Sequence, residues 1–197
     1  LPLTSLACFG TKITDLSPLT ALTNLSAAVL AGNPITNYTV LSGLTNLTCL
    51  WLYGNSISNL TFLQGLNRLS LLNLDDNRIP DLSPLSGLTN LSDLGLSQNP
   101  VANYAVLAGL TNLARLRLNG NAITNLSFAQ ELTSLKAASL QHNRFSDLAS
   151  LSGLTNLVSI DADYNRLTDI AALQNFPQLS RVGLVGNLLE LSNGSPA

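Results

Sequence analysis

Few residues in this chain have types that could do chemistry. His142 is its only histidine, and the 22-residue periodicity described below brings the carboxylates of Asp161 and Asp163 close to it. A histidine beside two carboxylates could serve acid–base chemistry or hold a metal. No serine, cysteine or second histidine completes a nucleophilic arrangement with them, and an open surface excludes no water. Asp161 and Asp163 alone supply fewer oxygens than the roughly six to eight that calcium takes. The expectation is no catalysis, no cofactor and no metal. What remains is recognition chemistry, carried by Trp51 and Tyr53 as aromatic anchors and by Arg117 as a polar one.

The elements that must position these residues repeat at a fixed interval. Stepping by 22 from Asn55 reaches Asn33, Asn77, Asn99, Asn121, Asn143, Asn165 and Asn187, and the same step from Leu47 runs from Leu3 to Leu179 without a slip. This L-x-x-L-x-L-x-x-N-x-I pattern is that of a leucine-rich-repeat solenoid, in which each copy is one coil. In Leu47-Thr48-Cys49-Leu50-Trp51-Leu52-Tyr53 the leucines alternate with outward residues, so a short strand buries one face and frees the other. The Asn55 amide can donate and accept at the following turn, and stacked copies can satisfy one another. Ile57, Leu60, Leu63 and Leu66 return the chain at spacings of three, suited to 3-10 turns. The predicted class is an α/β solenoid, a right-handed superhelix with a parallel sheet on its concave face and short 3-10 or irregular turns on its convex face. Nine coils over 1–191 form one domain, and 192–197 (SNGSPA) reads as a flexible tail.

Residues related by the 22-residue step form columns about 4.8 Å apart from coil to coil. On the outward strand face the N-terminal half carries Phe9, Val29, Ala31, Trp51, Tyr53 and Leu71. Exposed aromatics of this kind mark interaction surfaces. Farther along lie Asn73, Asp75, Asp93, Arg115, Arg117, Asn119, His142, Asp161 and Asp163. Arg115 follows Asp93 in one column, where a solvated ion pair is expected. Arg117 stands between Gly95 and Ser139, an arrangement that should leave it free to reach a partner.

Composition narrows the partner. Only 10% of the 197 residues are charged, the formal net charge is -2, and Lys12 and Lys136 are the only lysines. No basic stripe exists for a nucleic-acid backbone. No apolar run reaches the roughly 18 residues of a membrane span. A soluble monomer is expected, and the Asn, Ser and Thr surface suits an exported bacterial protein, secreted or at the cell surface. Leu1 begins in mid-pattern, so a preceding cap is expected. Cys8 and Cys49 fall two coils apart on opposite faces, and no disulfide is predicted between them.

A longer period overlies the first. NYTVLSGLTNLT at 37–48 returns as NYAVLAGLTNLA at 103–114, three coils on. Across this duplication the buried columns keep their residues far more often than the outward strand columns, where Trp51 becomes Arg117, Asp76 becomes His142 and Gly95 becomes Asp161. Divergence concentrated on one face fits selection for binding as well as ordinary surface drift.

DLSPLTALTNL at 15–25 and DLSPLSGLTNL at 81–91, joined to L-x-L-x-x-N-x-I, resemble the 22-residue repeats of the internalin family of bacterial surface proteins. The resemblance implies an adhesin that binds a protein on its concave strand face. The sequence departs from that family in lacking its helical N-terminal cap and following immunoglobulin-like module, and in carrying NYTVL and NYAVL where DLSPL is the rule. The expected function is a non-enzymatic protein-binding or adhesion module. Two alternatives stand beside it: a glycan-binding module using Trp51 and Tyr53, with Asn73 and Asp75 as hydrogen-bond partners, and a spacer or cap for neighbouring domains.

Overall fold

The computed structural model describes residues 2–190. The predicted tail at 192–197 lies outside these residues. Nine strands, β1 (Ser5–Ala7), β2 (Ala27–Val29), β3 (Cys49–Trp51), β4 (Leu71–Asn73), β5 (Asp93–Gly95), β6 (Arg115–Arg117), β7 (Ala137–Ser139), β8 (Ser159–Asp161) and β9 (Arg181–Gly183), form one parallel sheet in sequence order. Each residue pairs with the one 22 positions on, as Leu50 does with Leu72. The return limbs hold 3-10 turns, and no α-helix occurs among the described residues. This is the leucine-rich-repeat solenoid the period predicted. Leucines from strand and return limb meet in one continuous rod of core, from Leu16 to Phe176. A fully buried leucine contributes about 1.5–3 kcal/mol, and each coil supplies several that only its neighbours cover.

Side-chain ladders hold the coils together. Asn77 Nδ2 donates to the carbonyls of Leu52, Leu74 and Asp75, while its Oδ1 accepts from Ile57 N at 2.8 Å. Every asparagine of this column from Asn33 to Asn187 reaches back to the preceding coil. These buried amides satisfy backbone groups that would otherwise be orphaned at the turn. Thr11, which stands where later coils have Asn, places its hydroxyl 3.2 Å from both Cys8 O and Asn33 Oδ1. A second ladder caps the 3-10 turns. Asp15, Asn37, Asn59, Asp81, Asn103, Asn125, Asp147 and Asp169 each accept the N–H two residues on. These are Asx turns. At Asp15 and Asp81 the Ser17 and Ser83 hydroxyls, helped by the same residues' N–H groups, hold the carboxyl below its usual value.

The strands are shorter than the seven-residue alternation suggests. Asn55 Nδ2 takes the carbonyl of Leu30, an acceptor on the preceding coil that continued pairing would need. Pairing therefore ends at Trp51.

The NYTVL and NYAVL departures have a packing role. Tyr38 stacks on Phe62 of the next coil, and Tyr104 on Phe128, each pair with ring centroids 5.2 Å apart. Both hydroxyls donate to a turn carbonyl at 3.3 Å, that of Asn55 or Asn121. Burial pushes both phenols from 10 up to about 12. Because the fold favours the neutral form, stability is full below about pH 10 and falls as pH rises toward 12. In urea titrations, a Tyr38→Phe, Tyr104→Phe double variant should be slightly less stable than the parent at pH 7 and more stable at pH 11. Parallel curves at both pH values would show that these phenols do not set the alkaline limb.

Candidate functional site

The aromatic end of the strand face is built from three coils. Phe9 is 60% exposed and Trp51 42%, and the Phe9 and Tyr53 rings lie 5.8 Å apart across the intervening coil. Gly32 makes this approach possible. A Cβ there would sit 3.3 Å from the Phe9 ring, and the residue's φ of +66° favours glycine independently. Val29 and Asn73 flank Trp51 in register, and Leu71 pairs beside Cys49. Ala31, expected on the exposed surface, is fully buried beneath this group. Its methyl is too short to pass the larger side chains of Phe9 and Tyr53 on either side.

Farther along, most of the predicted polar residues bond within the protein. Asn73 Oδ1 accepts Asp75 N at 2.9 Å, Asp75 Oδ1 accepts Ser97 N at 2.6 Å, and Ser97 Oγ accepts Asn119 N at 3.3 Å. Asn119 Oδ1 accepts Gln141 N, Asp161 Oδ1 accepts Asp163 N, and Asp163 Oδ1 accepts Val185 N. The amides in this column are the ones left over when the asparagine ladder claims the neighbouring carbonyls. Polar side chains in successive coils supply the missing acceptors. Asn73, Asp75, Asn119, Asp161 and Asp163 therefore have a structural role wherever else they act.

Arg117 departs from its expected freedom. Its Nη1 lies 2.8 Å from Asp93 Oδ1 and its Nε 3.4 Å from Asp75 Oδ2, so the guanidinium lies back over two earlier coils. Gly95 creates the channel, since a Cβ there would stand 2.7 Å from Arg117 Nη2. The neighbouring glycine that was read as leaving Arg117 unpaired is what lets it pair. Arg115 makes the expected contact with Asp93 at 3.5 Å and remains largely exposed, a geometry worth little in stability.

His142 does not gather with the carboxylates. Its ring lies flat against Tyr164, with centroids 4.5 Å apart and planes 3° from parallel. Both residues occupy a column of left-handed backbone that is glycine at Gly10, Gly32, Gly54, Gly120 and Gly186. A bulky side chain at positive φ carries local strain, here accompanied by stacking. Tyr164, which the 22-residue step also places on the outward strand face, belongs to this surface. Its signal was an aromatic residue in a column where glycine is the rule. Among the described residues no group of three or more His, Cys, Asp or Glu side chains could hold a metal. Cys8 and Cys49 are free thiols. Burial, with a further push from Asp93, raises the Cys49 thiol despite an opposing hydrogen bond involving Trp51, so it is held in its unreactive protonated form.

Two grooves on the flank, absent from the sequence-derived site, follow the three-coil duplication. One of about 440 Å³ includes Asn37, Tyr38, Asn59 and Phe62, and one of about 490 Å³ includes Asn103, Tyr104, Asn125 and Phe128. Neither contains a charged residue. No helix of the described residues is long and apolar enough to cross a membrane.

No protein-family model and no curated protein matches the sequence. Solved structures do. Internalin C2 of Listeria monocytogenes is similar over 92% of this chain and 80% of its own, with 35% identity and a TM-score of 0.89. An internalin of the same organism, InlF, is 30% identical over 95% of this chain, with a TM-score of 0.81. A leucine-rich-repeat protein of Leptospira interrogans is 26% identical over 95% of the chain, with a TM-score of 0.88. This chain spans 62% of the InlF structure and 50% of the Leptospira one. Solenoids of this kind are in general protein-interaction scaffolds. The unbroken 22-residue register, the asparagine ladder and the similarity to internalin C2 together show that the chain belongs to the internalin family.

Proposed function

We propose that the chain is a non-enzymatic protein-binding module, an adhesion element of a secreted or surface-exposed bacterial protein, with its partner seated on the strand face. Residues 1–191 act in this reading as a single recognition domain, working as a monomer. The observation that carries it is the exposure of Phe9 and Trp51 beside Tyr53 on the same face of one rigid sheet. Aromatic anchors of this size dominate interface energies, and charged residues around them set orientation more than affinity. Arg115, at 67% side-chain exposure, replaces Arg117 as the cation best placed to meet a partner. The tilted Phe9–Tyr53 packing, with planes 35° apart, favours an interlocking protein surface over a flat platform for a sugar ring. Catalysis has no support from the site, because the one histidine is engaged with Tyr164 and the nearby carboxylates cap backbone amides.

The test is to probe the protein against an array of purified extracellular receptor domains and, in parallel, a glycan array. The expected result is saturable binding to a protein, weakened at least about tenfold by Trp51→Ala and by Phe9→Ser. Binding to glycans alone would overturn the reading in favour of the sugar alternative. Protein binding that survives both substitutions would move the site off this face, and silence on both arrays would favour the spacer role.

A further inference from the structure

We infer that the solenoid contains a built-in joint between its seventh and eighth coils, at which the C-terminal end opens as a unit. Three features meet there. The first is a break in the asparagine ladder. At every other junction from Thr11 to Asn187 the asparagine Oδ1 accepts at least one backbone N–H from the preceding coil. Asn165 Oδ1 is buried and has no partner, the only such side-chain atom among the described residues. The amides of Asn143 and Phe145, which occupy the donor positions at that junction, also have no acceptor among the described residues.

The second feature supplies the cause. Next to the ladder runs the column Ile13, Ile35, Ile57, Ile79, Val101, Ile123, Phe145, Leu167 and Leu189, aliphatic except at the junction. Phe145 is buried there. A phenyl ring where the other coils hold an aliphatic side chain crowds the rung beside it, as overpacking does elsewhere.

The third feature lies on the return limb. Pro18, Val40, Phe62, Pro84, Val106 and Phe128 fill equivalent positions in the first six coils, and Ser150 and Ala172 follow in the seventh and eighth. The cleft of about 300 Å³ between these two limbs, running from Asp147 and Ala149 to Asp169 and Asn175, is lined by no aromatic ring, unlike the larger grooves at Tyr38 and Phe62 and at Tyr104 and Phe128. The 3-10 turns at Ala149–Leu151 and Ala171–Asn175 consequently pack less closely than earlier consecutive pairs. The bulky ring crowds the asparagine rung, and the small residues leave the limb unfilled.

The strand side of the junction is intact. β7 and β8 pair in full register, Leu140 N donates to Asp161 O at 2.7 Å, and the His142 and Tyr164 rings stack across the same boundary. At the turn Arg166 N also donates to Phe145 O at 3.0 Å. The geometry is therefore that of a hinge, closed along the sheet and loosened at the asparagine rung and the return limb. Opening there would release the coils that carry Asp161, Asp163 and Tyr164 while leaving the aromatic end in place. Cooperative opening of contiguous units is the form such local weakness takes.

Hydrogen exchange followed by mass spectrometry on the whole chain tests this. The expected profile is a step at the junction: amides from 145 to 190 exchange about ten times faster, or more, than those of coils three to six, with no comparable step two coils in from the other end. Phe145→Leu, which matches Leu167 and Leu189 in size, should shrink that step about tenfold, and Phe145→Ile should do the same. A smooth decline in protection toward Glu190 with no step would overturn the proposal. So would a step left unchanged by either variant. If both variants lower protection everywhere because the pocket is left empty, the profile of the unsubstituted chain still decides.

Discussion

Asn77→Ala should lower the stability of the solenoid by about 3–5 kcal/mol, more than any exposed substitution on the chain. The side chain occupies a sealed turn and serves both neighbours: it donates to Leu52 O, Leu74 O and Asp75 O and accepts from Ile57 N and, at 3.3 Å, from Asn55 N. Alanine leaves these groups in place with no water to replace the amide. Stranding a buried polar group costs about 1–3 kcal/mol, and several are stranded together. Asn77→Asp should do little better, since it turns the donating nitrogen into a carboxylate oxygen that faces three carbonyls. Thr11→Ala, at the exposed first rung, should cost about 0.5 kcal/mol or less. Equilibrium urea unfolding compares the three. A loss below about 1 kcal/mol for Asn77→Ala would mean that the rungs are ornamental and that leucine packing alone sets the coil spacing.

Leu94→Ala is the second large effect, at about 2–5 kcal/mol. Leu94 is fully buried in β5, with Leu72 and Leu116 on either side in register. Its removal opens a cavity that neither neighbour can fill without leaving its own column. Val182 holds the same position in β9 and is 38% exposed, with β8 as its strand neighbour. Val182→Ala should cost under about 1 kcal/mol, because the side chain is already partly exposed and has a strand neighbour on one side only among the described residues. The contrast, read from thermal unfolding of both variants, measures how far a coil depends on having two neighbours. Equal losses at the two sites would contradict the nearest-neighbour account.

The parts of this architecture that depend on period were legible in the sequence. Leu50 and Leu52 against Trp51 gave the inner and outer faces, and the step from Asn55 to Asn77 gave the register, because each signal is repeated in every coil. What escaped depends on pairs of residues in particular coils. Arg117 looked unpaired because its column neighbours are Gly95 and Ser139, yet its partners Asp75 and Asp93 lie diagonally, two coils and one coil back. A long flexible guanidinium ignores columns. The amide-capping role of Asn73, Asp75, Asn119 and Asp163 was hidden for a different reason. It exists only because the buried asparagines consume the carbonyls those amides would otherwise use. The period also says nothing of the one aromatic in an aliphatic column, Phe145, at the junction where the Asn165 oxygen has no partner. The stacking of His142 on Tyr164 required two glycine positions to be filled in succession. A column count reports that substitution without revealing that the rings would meet.

The constant 22-residue step also bears on how such a molecule changes length. Nearly every bond between coils joins a residue to one about 20 to 25 positions away, so cutting out a 66-residue block rejoins Asn33 to an asparagine and Tyr38 to a phenylalanine of the same kind. Growth by whole blocks preserves the fastenings that recur in each coil and alters the reach of the surface on offer. A gene of this form can retune the span between two contact points by recombination, with no new fold to invent.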